Sequence, residues 1–195
     1  MSRGRIARWM LEETGAAYDT VLIGYDGAMK DPAYLAVNPM GKVPALRHGD
    51  TIVTETAAIC AYLADSFPDA GLAPPLADRG AYYRWLFFAA GPLEAAVTNS
   101  ALGATFAADR SATLGYGSLA ATLDTLEQAL IDRTYIAADH FTAADLYISA
   151  HLGWGMMFGS IPPRPAFQTY QTRLYERPAQ LRAAALDDAD IPAQT

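Results

Sequence analysis

Residues 38–65, NPMGKVPALRHGDTIVTETAAICAYLAD, leave the chain few folds to choose from. Lys42-Val43-Pro44 stands where a helix-like segment gives way to a strand. Proline has no N–H for a ladder, so Pro44 belongs at a strand's first residue or in a tight turn, and the backbone groups of Val43 are left to bond something else. The Gly49-Asp50 pair between the apolar runs 44–47 and 52–54 predicts a hairpin. Thr54-Glu55-Thr56 then sets a carboxylate and hydroxyls at the mouth of an apolar helix over 57–67. A helix start carries unpaired N–H groups and a partial positive charge, and so favours an anion.

On either side the periodicity is legible. Ile6, Trp9 and Met10 repeat at helical spacing over 5–14, with Gly15 as the cap. Val21, Leu22 and Ile23 predict a strand over 18–23, and a proline-led short helix is expected over 32–37. Residues 68–75, PDAGLAPP, hold three prolines and a glycine and read as a linker. Beyond them only helical pattern appears. Tyr82, Trp85, Leu86, Ala89 and Leu93 share a stripe in a segment running to about 108, with a kink expected at Gly91-Pro92. Leucines at 119, 123, 126 and 130 mark a second core-facing helix. Thr142 and Asp145 form a capping-box pair, with Phe141 placed to staple onto Leu146. The helix over 146–154 is apolar all round and is expected to be the buried centre of this half. Two amphipathic helices, 166–176 and 178–186, close the chain before a tail over 187–195 that is expected to be loose.

A net charge of −7 and a pI near 4.8 argue against nucleic acid or an anionic membrane surface as partner. Cys60 is the only cysteine, which excludes an intramolecular disulfide and a cysteine metal cluster. His48, His140 and His151 lack metal-ligand spacing, so no metal site is expected. No apolar run approaches the roughly 20 residues of a membrane span. The opening residues lack the apolar core of a signal peptide. A soluble cytoplasmic protein is expected.

The order of these parts resembles the cytosolic glutathione S-transferases, in a bacterial-type form. The residues that carry the resemblance are Ser2-Arg3-Gly4-Arg5 with Trp9 to Glu13, Asn38 to Leu46, Thr54-Glu55-Thr56 with Ile59 and Tyr62-Leu63-Ala64, and Phe141 to Asp145. Each motif alone is weak; together they span nearly the whole chain in the right order. The resemblance implies an α/β part followed by an all-α part: a thioredoxin-like glutathione-binding domain over 1–67, a linker over 68–75, and a helical-bundle domain over 76–195.

It also implies roles. Val43 pairs its backbone with the cysteinyl part of glutathione, and Pro44 is the cis-proline that exposes that backbone. The Glu55 carboxylate takes the γ-glutamyl ammonium, Thr56 takes the α-carboxylate, and Lys42 approaches the glycyl end. Phe88 is a wall for a small hydrophobic electrophile. Family members begin with a strand before the Ser-Arg-Gly turn, and that strand is expected to be missing here. The group that activates the thiol lies at its end, which leaves Ser2 and Arg3 as the candidates. With Arg3 near the position where the cysteine-dependent bacterial class has its cysteine, a mixed-disulfide mechanism is not expected. The implied activity is conjugation of the glutathione thiol to small hydrophobic electrophiles by a homodimer, with glutathione as co-substrate and no cofactor. A glutathione-dependent isomerase or dehalogenase, or a non-catalytic glutathione-binding member, are the alternatives.

Several residues also have plain structural readings. Ser2 can serve as a helix cap, Arg3, Arg5 and Arg8 as a solvated helix face, and Cys60 as a buried inert thiol. Tyr82, Tyr83, Trp85, Phe87 and Phe88 read mostly as core and subunit interface, with one or two facing a ligand.

Overall fold

The computed structural model describes residues 2–190. They form two compact units, 2–72 together with 177–190, and 73–176.

In the first unit, α1 (Gly4–Thr14) buries Ile6, Trp9 and Met10 at the predicted spacing and ends at Gly15. A short helix α2 (Pro32–Leu35) follows, its proline at the first turn. β1 (Ala45–His48) and β2 (Thr51–Thr54) pair antiparallel in the register Ala45↔Thr54 to His48↔Thr51. The two-residue turn between them has Gly49 at φ 59°, the left-handed value such hairpins need at this position. α3 (Thr56–Ser66) buries Ile59, Cys60 and Leu63 and packs against α1, closing the core of this unit.

The strand expected over 18–23 does not form. Residues 16–24 make no ladder, Val21 is 80% and Leu22 63% exposed, and β1–β2 is the sheet found among the described residues. Apolar, β-branched composition favours an extended chain, but a strand also needs a neighbour to take its N–H and C=O groups.

In the second unit, α4 (Gly80–Phe88) runs through a π-helical segment (Ala89–Leu93) into α5 (Glu94–Ala101). Pro92 cannot donate to the i−4 carbonyl, and the π segment absorbs the interruption at the predicted kink. The segment stops at Ala101 rather than near 108. The stripe of Tyr82, Trp85, Leu86, Ala89 and Leu93 is buried throughout. α6 (Leu119–Leu130) buries Leu123, Leu126 and Leu130. α7 (Ala143–Met157) starts with the complete capping box of Thr142 and Asp145 and packs on α4 and on α8 (Pro165–Tyr175) as the buried centre.

The last helix, α9 (Pro178–Ala189), was read from sequence as part of the helical half, with a loose tail from 187. It packs instead on α1. Glu13 accepts two bonds from Arg177 at 2.7 Å, Glu12 pairs with Arg182 at 3.0 Å, and Arg8 with Asp187 at 3.0 Å and Asp190 at 2.6 Å; Arg5 pairs with Asp188. Arg5 and Arg8 on α1 therefore form an ion-paired seam rather than a solvated surface, with Arg8 only 8% exposed, while Arg3 is exposed. The tail residues 191–195 lie outside the described residues. No helix among the described residues is long and apolar enough to cross a membrane.

Candidate functional site

The register pairs Ala45 with Thr54, so Val43 and Pro44, just before β1, and Glu55 and Thr56, just after β2, lie at the same end of the hairpin. The Val43–Pro44 peptide is cis. Neither the N–H nor the C=O of Val43 has a hydrogen-bond partner among the described residues, although the residue is half-buried. A free N–H and C=O on one extended residue can pair with another extended chain.

Glu55 sits at the N-cap of α3 with φ 64° and ψ 118°, its side chain exposed and no side chain capping the helix. A left-handed φ at a residue with a Cβ costs about 1–3 kcal/mol and concentrates at ligand-binding positions. Thr56, the first helical residue, is 6% exposed. The arrangement offers a carboxylate to a cation and, one residue on, a hydroxyl and helix-start N–H groups to an anion.

The loop before the edge is tightly held. Asn38 is 3% exposed; its Oδ1 accepts from the Met40 N–H at 3.1 Å and its Nδ2 donates to the Lys42 carbonyl at 2.7 Å. The Tyr34 hydroxyl donates to the same carbonyl at 2.7 Å. Gly41 has φ 59°, and a Cβ there would lie 2.6 Å from the Met29 carbonyl and 2.7 Å from Lys30 Nζ, so glycine alone fits. The Lys42 side chain is exposed.

Comparison with known proteins agrees with this geometry. Residues 2–66 match the glutathione S-transferase N-terminal domain and residues 109–178 the glutathione S-transferase C-terminal domain. The chain is 33% identical to glutathione S-transferase F9 of Arabidopsis thaliana over 73% of its own length and 70% of that protein. The chain belongs to the glutathione S-transferase family. It is also 36% identical to glutathione S-transferase GstA of Escherichia coli O157:H7, over 62% of this chain and 61% of that one. A sphingomonad glutathione S-transferase solved in complex with glutathione superposes with a TM-score of 0.77 at 30% identity, covering 96% of this chain and 95% of that one. The fold is that of the family, a thioredoxin-like part with a small sheet followed by helices.

The other predicted site residues of this glutathione S-transferase family member lie at the start of α1 and on α4. The half-buried Ser2 turns its hydroxyl to its own helix, accepting from the Gly4 N–H at 3.1 Å. Arg3 is exposed at the N-cap of α1. Phe88, on α4 in the second unit, is half-buried and meets the Trp85 ring edge-on at 5.1 Å. Cys60 is fully buried, and that burial pushes its thiol up to about 12, so it is no nucleophile at neutral pH. Thr142 and Asp145 are structural, as the capping box requires. Tyr34 and Lys30 carry no role legible in the sequence, and Asn38 is legible only as part of the Asn38–Leu46 motif. The available signal was Asn-Pro ahead of a glycine, a pattern that ties side-chain amides to a turn.

Proposed function

We propose that this chain is a glutathione transferase that conjugates the glutathione thiol to small hydrophobic electrophiles. The observation that supports the reading is the Val43 backbone, unpaired among the described residues, at the same end of the hairpin as the positive-φ Glu55 and the start of α3. In this reading Val43 bonds the cysteinyl backbone, strand-fashion, beside the cis Pro44. The Glu55 carboxylate takes the γ-glutamyl ammonium, Thr56 takes its α-carboxylate, and Lys42 meets the glycyl carboxylate. Ser2 or Arg3 stabilises the thiolate, whose sulfur attacks an electrophilic carbon and expels the leaving group with its bonding pair. Phe88 walls the electrophile. In chain order, 1–67 form the glutathione-binding part, 68–75 the linker and 76–195 the helical part, whose last helix α9 packs back on α1, in a cytoplasmic homodimer that uses no cofactor.

The test has two steps. Retention on immobilised glutathione measures the cradle, and displacement of chloride from an activated chloronitrobenzene measures turnover. Binding with turnover is the expected result; binding without turnover would favour the non-catalytic alternative, and failure to bind would overturn the reading. Glu55→Ala should weaken glutathione binding by about 1–3 kcal/mol, the scale of a lost hydrogen bond to a charged group. An unchanged affinity would show that another residue holds the γ-glutamyl end.

A further inference from the structure

The proposed cradle depends on a peptide group that the ligand itself does not hold. The Lys42 carbonyl and the Val43 N–H belong to one planar unit, so the direction of the oxygen sets the direction of the N–H on the opposite side. That oxygen takes two hydrogen bonds, from the Tyr34 hydroxyl and from Asn38 Nδ2, each at 2.7 Å, which occupies both of its lone pairs.

Tyr34 is well placed for this. It lies on α2, whose first turn is set by Pro32 and closed by bonds from the Tyr34 and Leu35 N–H groups to the Asp31 carbonyl at 3.0 and 2.9 Å. The Tyr34 carbonyl in turn accepts from the Val37 and Asn38 N–H groups, both at 2.9 Å, so Tyr34 and Asn38 are fixed relative to one another before either reaches Lys42. Burial lifts the Tyr34 phenol above its ordinary value, which keeps it a donor at neutral pH. Four residues earlier, Lys30 Nζ donates to the Met40 and Gly41 carbonyls at 3.0 and 3.2 Å, so the same short segment holds three successive carbonyls of the loop.

We propose that Tyr34 is a positioning residue for the glutathione site: its hydroxyl, with Asn38, fixes the plane of the Lys42–Val43 peptide so that the Val43 N–H already faces the cysteinyl backbone when the ligand arrives. The proposal rests on the glutathione reading of this edge. It is a claim about preorganisation, since the free energy of aiming the peptide is met in the folded chain and is not subtracted from binding.

Tyr34→Phe in the full-length protein removes one donor and keeps the ring. The carbonyl retains Asn38, and the lost bond is exposed to solvent, so the melting temperature should stay within about 3 °C. The dissociation constant and KM for glutathione should rise about three- to tenfold. The KM for the chloronitrobenzene and the kcat at saturating glutathione should stay unchanged. In the ligand-free protein the Val43 amide cross-peak should move in the ¹H–¹⁵N spectrum. A purely structural tyrosine would shift the melting temperature and leave this split absent. Unchanged glutathione affinity in the variant overturns the proposal. Should the unaltered protein fail to bind glutathione, the functional reading falls; the Val43 amide then still decides, and an unmoved cross-peak in Tyr34→Phe refutes the clamp itself.

Discussion

Asp145→Asn is the sharpest test of how the second unit is held together. Asp145 is 0% exposed and its carboxylate accepts four hydrogen bonds. Oδ1 takes the Ile136 N–H and the Tyr170 hydroxyl, both at 2.7 Å, and Oδ2 takes the Thr142 N–H at 2.9 Å and the Thr142 hydroxyl at 2.8 Å. Each oxygen thus serves one backbone N–H and one hydroxyl. In the asparagine variant, whichever way the amide turns, its NH₂ faces one such pair. The hydroxyl can rotate and accept; the backbone N–H cannot. One buried N–H is orphaned, at about 1–3 kcal/mol, and the surviving bonds lose their charge assistance, worth roughly another 1 kcal/mol. The total is about 3 kcal/mol, which for a chain of this size lowers the melting temperature by about 6–12 °C. Urea unfolding should give a lower midpoint with an unchanged m-value. Tyr170→Phe, which removes a single donor, should cost only about 1 kcal/mol. If Asp145→Asn were no more destabilising than Tyr170→Phe, the orphaned-donor argument would be refuted.

Other outcomes are more quickly measured. The Tyr18 hydroxyl bonds Glu12 at 2.6 Å and is the largest cause holding that carboxyl below its ordinary value, with Arg182 assisting and burial opposing. A depressed folded value means the stability this pair contributes is present above the unfolded carboxyl range and is lost as pH falls through the folded one. Tyr18→Phe should therefore destabilise more at pH 7 than in acid, and a pH-independent difference in urea midpoints would argue against the pair. Cys60 should resist a water-soluble disulfide reagent in the native protein and react at a rate set by unfolding; rapid native labelling would mean α3 is not packed as described. Gly155→Ala would put a Cβ 2.4 Å from the Ile161 side chain, and by urea unfolding should cost about 1–3 kcal/mol of overpacking.

What could be read in advance follows from the range of the interactions involved. Helical periods, the Pro92 interruption, the Thr142–Asp145 cap and the hairpin turn at Gly49 rest on residues within a few positions of one another, and each took its expected form. The strand over 18–23 failed because composition describes one segment's preference and a ladder needs two strands. The Arg5 and Arg8 face was misread for a related reason: its partners, Asp187, Asp188 and Asp190, lie at the far end of the sequence, where polar residues resemble a loose tail until α9 is seen against α1.

The candidate site divides in the same way. By itself the sequence determined which residues are candidates for the binding chemistry. A proline that cannot join a ladder, a carboxylate and hydroxyl at a helix start, and a glycine turn between them are local facts. Tertiary structure decided how that chemistry is aimed. The left-handed backbone of Glu55, the N–H and C=O of Val43 left unpaired among the described residues, and the two side chains that converge on the Lys42 carbonyl appear only in the folded chain. A hydrogen bond has direction as well as donors, and direction exists only once the chain is folded.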